Sequence, residues 1–174
     1  MHTQIPGGLQ GLLTGGPLLL WANPESPYWL LNLLSFAVLV LLAWYLHKRV
    51  TAFPLWWLLL WVLLSPWTLH FSTRIENPSY VLFGSVLFFI ALAELTMFYA
   101  ARTFPAPLAF LALGAGIGWI MQLHLSWVLL PPFVLWALWK GRLKGQLLWR
   151  GIIFFTTGLV LMCGTLFPVW MRFG

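Results

Sequence analysis

Long apolar runs, separated only by short polar segments, leave this chain few ways to fold. Hydrophobic residues make up 61% of its 174 positions and charged residues only 7%, against about 25% charged in an ordinary soluble domain. At roughly 20 apolar residues for each membrane-spanning helix, the chain has enough of them for about five or six spans. We therefore predict an all-α, polytopic transmembrane helical bundle.

The polar interruptions predict an interfacial segment followed by six spans. Residues 1–27 alternate Gly and Pro clusters with apolar runs too short to cross a membrane, which predicts short amphipathic pieces on the non-cytoplasmic surface. Residues 28–174 form the predicted transmembrane domain. Its spans are predicted near 28–46, 53–69, 80–101, 107–122, 125–139 and 149–168.

The apolar stretch 107–139 decides between five spans and six. As one helix it would be about 50 Å long, against a hydrocarbon core of about 30 Å. Polar residues interrupt it at 122–126, so we predict two helices with a break there. Earlier in the stretch, Gly114 and Gly118 form a GxxxG pattern, which predicts close packing against another helix.

The distribution of Lys and Arg favours six spans independently. Six spans place seven basic residues on one side of the membrane and only Arg74 and Arg172 on the other, whereas five spans remove this bias. Cytoplasmic loops carry the excess of Lys and Arg in membrane proteins. Both termini are therefore predicted to be non-cytoplasmic.

This topology gathers the remaining polar residues on the non-cytoplasmic side, where ionisable groups near the membrane are candidates for function. Each could bind a phosphate or a substrate, and each also has a purely structural alternative. The loop with Arg74 could simply be capped, His124 could be satisfied by a backbone carbonyl, and Arg172 could be an interfacial anchor. Arg74 and Glu76, two residues apart, would share one side of an extended segment. The candidate binding residues are Arg74, Asn77, Gln122, His124 and Arg172.

Several chemistries find no support in the sequence. Scattered basic residues make no face for nucleic acid, and no cluster of ligands predicts a metal or another cofactor. The chain has no Asp, which excludes the usual Ser–His–Asp triad. Glu94 lies deep in the third predicted span without an acid or His one turn away, so we expect a packed, protonated or snorkelling side chain rather than a proton relay.

A Gly/Pro-broken outer segment, the loop STRIENPS at 72–79, the run GWIMQLHLSWVLLPP at 118–132 and a basic turn before the last span follow one another. This order resembles the GT-C superfamily, and most closely the bacterial polyprenyl-phosphate-sugar-dependent glycosyltransferases of the mannosyltransferase-like type. The resemblance implies an inverting hexosyltransferase of the bacterial inner membrane. Its expected partners are membrane lipids, a polyprenyl-phosphate-linked sugar as donor and a lipid or glycan as acceptor.

The resemblance also implies where the catalytic acid should stand. In this family the acid opens the first outer loop, directly after a first span, and this sequence begins within that loop. We therefore expect the acid upstream of Met1 and this chain to be an inactive fragment, with Glu25 and Glu76 as weak substitute bases. The alternative hypothesis is a non-catalytic membrane scaffold or a lipid-binding partner subunit.

Overall fold

The computed structural model describes residues 8–50, 52–72, 74–76, 78–96, 102–143, 148–167 and 171. Within these ranges the chain forms α-helices and two short 3₁₀ turns, Leu125–Leu129 and Gly164–Leu166, and no strand, which confirms the all-α prediction. The helices are α1 Gly8–Leu20, α2 Ser26–Arg49, α3 Leu55–Leu63, α4 Pro66–Ser72, α5 Val81–Thr96, α6 Ala106–Met121, α7 Pro131–Leu143 and α8 Leu148–Cys163.

Two helical stretches are long and apolar enough to cross a membrane, judged by length and composition. They are Ser26–Arg49 and Trp149–Leu166. Helices α5 and α6 are also apolar but have 16 residues each, or about 24 Å, which is shorter than a hydrocarbon core of about 30 Å. By this criterion the described residues hold two candidate spans, fewer than the six predicted from the sequence.

The region predicted as one span over 53–69 is divided instead into α3 and α4. Helix α3 has nine residues and rises only about 14 Å. It ends before Pro66, because proline has no N–H to donate and its ring clashes with the preceding turn. The hydroxyl of Thr68 then donates to the carbonyl of Val62 at 2.8 Å, which ties the two short helices together.

The N-terminal segment also differs from its prediction. In place of several short pieces, residues 8–20 form one continuous helix that includes Pro17. Thr14 supports it by donating its hydroxyl to the carbonyl of Gln10 at 2.8 Å. The Gly and Pro residues that suggested a broken segment are tolerated because Leu9 and Leu13 are buried against the rest of the protein.

Glycines allow α6 and α8 to approach at backbone distance, as the GxxxG pattern predicts. A Cβ on Gly114 would overlap the carbonyl oxygen of Phe155, and a Cβ on Gly158 would overlap that of Leu111. Residue numbers rise together along both helices. The close pairs, in order, are Phe110 with Gly151, Gly114 with Phe155, and Gly118 with Met162. Helices α6 and α8 therefore run parallel.

Two parallel helices require the chain to return between them. Helix α6 ends at Met121, a 3₁₀ turn over Leu125–Leu129 follows, and α7 begins at Pro131. The run over 107–139 is thus interrupted after Met121 as predicted, but the prediction that the next helix starts at 125 is wrong, because residues 125–129 form the 3₁₀ turn. Helix α5 packs against α6 in the opposite direction, with Gly84 near Ile120 and Glu94 near Phe104. The bundle thus has two ends. The Arg49 end holds the last turn of α2, the last turn of α5 and the start of α6, and the Arg74 end holds the loop before α5 and the end of α6.

We predict that Gly114→Ala destabilises the protein while Gly15→Ala does not. The added methyl at 114 would collide with the backbone of α8, and overpacking of this kind costs about 1–3 kcal/mol. A methyl at Gly15 meets nothing within 4 Å and removes a helical glycine, which favours the helix. Thermal unfolding of the purified variants in detergent tests this, and equal melting temperatures would contradict the packing described.

Candidate functional site

A buried hydrophobic cluster joins five segments of the chain at the Arg74 end. Ile75 of the loop before α5 and Met162 of α8 pack against its edge. Its buried members are Leu9 and Leu13 of α1, Leu31 of α2, Tyr80, and Trp119 and Leu123 at the end of α6. The cluster therefore brings together segments that are far apart in the sequence and that carry most of the predicted site residues.

Tyr80 fixes the start of α5 within this cluster. Its hydroxyl donates to the carbonyl of Pro27 at 3.3 Å and lies 3.5 Å from that of Leu13. The indole N–H of Trp119 donates to the Tyr80 carbonyl at 2.8 Å. Buried aromatic side chains with polar tips need such partners, and here the partners attach α1, α2 and α6 to the loop that bears Arg74.

Arg74 and Glu76 are both exposed on this loop. Their side chains keep 62% and 49% of their surface accessible, and the closest nitrogen and oxygen lie 4.0 Å apart. The hydroxyl of Ser79 accepts from the Glu76 N–H and donates to the Arg74 carbonyl, which holds the loop in shape. An exposed pair at this distance contributes little to stability, so the Arg74 guanidinium is accessible to a ligand.

Gln122 has a structural role in this arrangement. The side chain is buried, its amide donates to the Met162 carbonyl at 2.8 Å, and its oxygen accepts from the Thr165 hydroxyl at 2.6 Å. These bonds join the ends of α6 and α8. Both ends of its side-chain amide are thus bonded to groups of the protein itself.

His124 caps the 3₁₀ turn that follows α6. Its Nδ1 accepts from the Ser126 N–H at 3.1 Å. In a neutral imidazole with an accepting Nδ1, the hydrogen resides on Nε2, which is then a donor. The ring is partly exposed, so this second nitrogen is available for an acceptor such as a phosphate oxygen.

Glu25 stands apart from the Arg74 loop. It precedes α2, where its side chain makes no capping hydrogen bond, and it lines a shallow depression of about 400 Å³ with Tyr28, Trp29 and Asn32. Two other candidates, Asn77 and Arg172, lie outside the described residues. Across the described ranges, no three His, Cys, Asp or Glu side chains are grouped so that they could hold a metal ion.

The Arg49 end contains a buried ion pair that the sequence reading missed. The Arg49 guanidinium pairs with the Glu94 carboxylate, and the two side chains keep 8% and 0% of their surface accessible. The second carboxylate oxygen accepts from the backbone N–H groups of Thr103 and Phe104 at 2.8 and 3.2 Å. Glu94 is therefore packed, as expected, but it is an ion-paired group that links α2, α5 and the start of α6 rather than a protonated or snorkelling side chain.

An apolar cavity of about 200 Å³ lies beside this pair, between α2, α5 and α6. Leu41, Ile90 and Leu108 are among the side chains that line it, and Glu94 is the ionisable residue among its described wall residues. Both oxygens of Glu94 already accept hydrogen bonds, so this carboxylate is engaged by Arg49 and by the backbone of Thr103 and Phe104.

Comparison with known proteins gives no match: no family model, no curated protein and no solved structure matches the chain. A function for the chain must therefore be inferred from its own side chains and their arrangement.

We predict that Glu94→Gln lowers stability and that adding Arg49→Met restores part of it. Removing one partner leaves a buried charge without compensation, which typically costs about 3–5 kcal/mol, whereas the double variant has no buried charge and keeps an acceptor for Thr103 and Phe104. Melting temperatures of the two single variants and the double variant in detergent test this. A double variant less stable than both single variants would contradict the pairing.

Proposed function

We propose that the chain is an integral protein of a bacterial inner membrane and crosses it six times, with the Arg49 end in the cytoplasm. Support comes from charge and helix direction together. Described basic residues concentrate at the Arg49 end, and Arg74 lies at the other. At the Arg49 end they are Lys48, Arg49, Arg102, Lys140 and Arg150, as expected of cytoplasmic loops.

In this proposal the Arg74 end faces away from the cytoplasm and binds a polyprenyl-phosphate-linked sugar. The observation that supports it best is the shared cluster: Ile75, between Arg74 and Glu76, and Leu123, next to His124, pack into the same hydrophobic group. An exposed guanidinium and an imidazole N–H thus lie at one end of the bundle. Both are donors suited to phosphate oxygens.

The reaction we propose is transfer of the sugar to a lipid or glycan acceptor with inversion, as in GT-C glycosyltransferases. Departure of the lipid phosphate develops negative charge, which Arg74 and His124 would stabilise. Attack by the acceptor hydroxyl requires a carboxylate to take its proton. Of the two candidate bases, Glu76 stands beside Arg74, and Glu25 stands in the depression at the start of α2.

A second candidate function, a non-catalytic lipid-binding partner subunit, has its own support. Gln122 and the Nδ1 atom of His124 are both used inside the fold, and Glu25 and Glu76 lie on different segments. A transferase needs its base in the same site as the phosphate-binding residues. Candidate bases on separate segments are therefore compatible with a protein that binds the lipid without transferring the sugar. Binding of the lipid phosphate is common to both candidates, and sugar transfer distinguishes them.

We predict that Arg74→Ala weakens binding of farnesyl phosphate, a short polyprenyl phosphate, to the purified chain in lipid nanodiscs. Hydrogen bonds to charged groups contribute about 1.5–3 kcal/mol, so a loss of about tenfold or more is expected. Arg150→Ala, an exposed arginine at the Arg49 end, is the matched control and should bind normally. Equal losses in both variants would contradict a site at Arg74.

We further predict that His124→Asn weakens this binding without unfolding the turn. Asparagine is a good capping residue and can accept from the Ser126 N–H, but it lacks the Nε2 donor. Transfer from a polyprenyl-phosphate hexose is measured on the same samples. Transfer by the unsubstituted chain that Glu76→Gln abolishes would support Glu76 as the base, and binding without transfer would contradict a working base at Glu25 or Glu76.

A further inference from the structure

Four side chains at the start of α2 form a second polar site, distinct from the Arg74 loop. Glu25, Tyr28, Trp29 and Asn32 follow the spacing i, i+3, i+4 and i+7, which places them on one face of a helix. Together they line the depression of about 400 Å³. All four are exposed to solvent or lipid, with Trp29 62% and Tyr28 42% accessible.

The length of α2 sets the depth of this site in a membrane. The helix has 24 residues and is about 36 Å long, against a hydrocarbon core of about 30 Å. With Arg49 at one boundary of the core, the other end of α2 reaches the opposite boundary. The depression around Glu25 therefore lies at the depth of the lipid headgroups, where amphipathic Trp and Tyr side chains are favoured.

The groups that face the depression are suited to a cation. Among the described residues no basic side chain forms an ion pair with Glu25, although the chain as a whole carries a net charge of +6. The Asn32 amide N–H₂ already donates to the Tyr28 carbonyl at 3.0 Å, which leaves its oxygen as an acceptor. Aromatic faces attract ammonium groups through the negative charge above the ring.

We propose that this site binds the primary ammonium of an ethanolamine phospholipid headgroup in the non-cytoplasmic leaflet. The Glu25 carboxylate pairs with the ammonium, the Asn32 oxygen accepts one of its N–H groups, and Tyr28 and Trp29 flank it. The inference rests on the membrane placement in the proposed function, but not on sugar transfer. An amino sugar carries the same ammonium, but the site lies at the depth of the lipid headgroups, which favours the phospholipid as its occupant.

Native mass spectrometry of the purified chain tests the proposal by counting retained lipids. Samples are equilibrated with equal amounts of phosphatidylethanolamine and phosphatidylglycerol, which has no amine. Exposed ion pairs and cation–π contacts together predict retention of one phosphatidylethanolamine that falls about fivefold in Glu25→Gln and in Trp29→Leu. Trp21→Leu is the matched control, because Trp21 is 50% exposed and lies outside the depression.

Retention that falls in Glu25→Gln and Trp29→Leu but not in Trp21→Leu, with phosphatidylglycerol unaffected, supports the site. Unchanged retention in Glu25→Gln, or equal loss of both lipids, overturns it. Excess glucosamine should not displace the phospholipid, and displacement would overturn the headgroup as the occupant in favour of an amino sugar. Farnesyl phosphate binding is measured on the same variants, so that failure here and failure of the Arg74 site are separate results.

Discussion

Close contact between α6 and α8 sets the arrangement of the other helices. Gly114 and Gly158 remove the side chains that would hold the two backbones apart, and small residues at such contacts let helices pack when lipid removes the hydrophobic drive for association. Because the two helices run parallel, α7 must carry the chain back between them. Gln122 reinforces the contact at the Arg74 end, where its amide and oxygen both bond to the end of α8.

The two ends of the bundle are held by different forces. At the Arg74 end, aromatic and aliphatic side chains pack around Tyr80, and the charged side chains of Arg74 and Glu76 are exposed. At the Arg49 end, a buried ion pair ties α2 to α5, and two backbone N–H groups complete the coordination of Glu94. A charge pair this deeply buried makes a rigid attachment only while every partner is present, so this end is suited to structure and the exposed end to binding.

The sequence predicts the parts of this protein that follow from local pattern. The apolar runs predicted an all-α protein, and the polar residues at 122–126 predicted the end of α6. Gly114 and Gly118 predicted the close contact that α6 makes with α8. The division at Pro66 was missed because the apolar run continues on both sides of it, and hydrophobicity alone does not report a bend. The continuous α1 was missed because its burial against Tyr80 and Trp119, which compensates for its Gly and Pro content, is a tertiary effect.

The site was predicted less completely, for related reasons. Arg74 and His124 stand at the end of the bundle where the charge pattern put them, but Gln122 is used internally by a partner 43 residues away. The partner of Glu94 is 45 residues distant, at the end of another helix, so a search within one helical turn could not find it. Residues 25, 28, 29 and 32 do share a helical spacing, and that pattern was visible in the sequence.

In the proposed topology, the chain turns back over 122–130, so that α6 and α8 cross the membrane in the same direction. Single cysteines at Lys48, Leu125 and Arg150, in a Cys163→Ser background, can be labelled with a membrane-impermeant maleimide on spheroplasts. All three native side chains are exposed. This topology predicts labelling at position 125 in intact spheroplasts, and labelling at 48 and 150 only after permeabilisation. Labelling of 125 and 150 from the same side would contradict it.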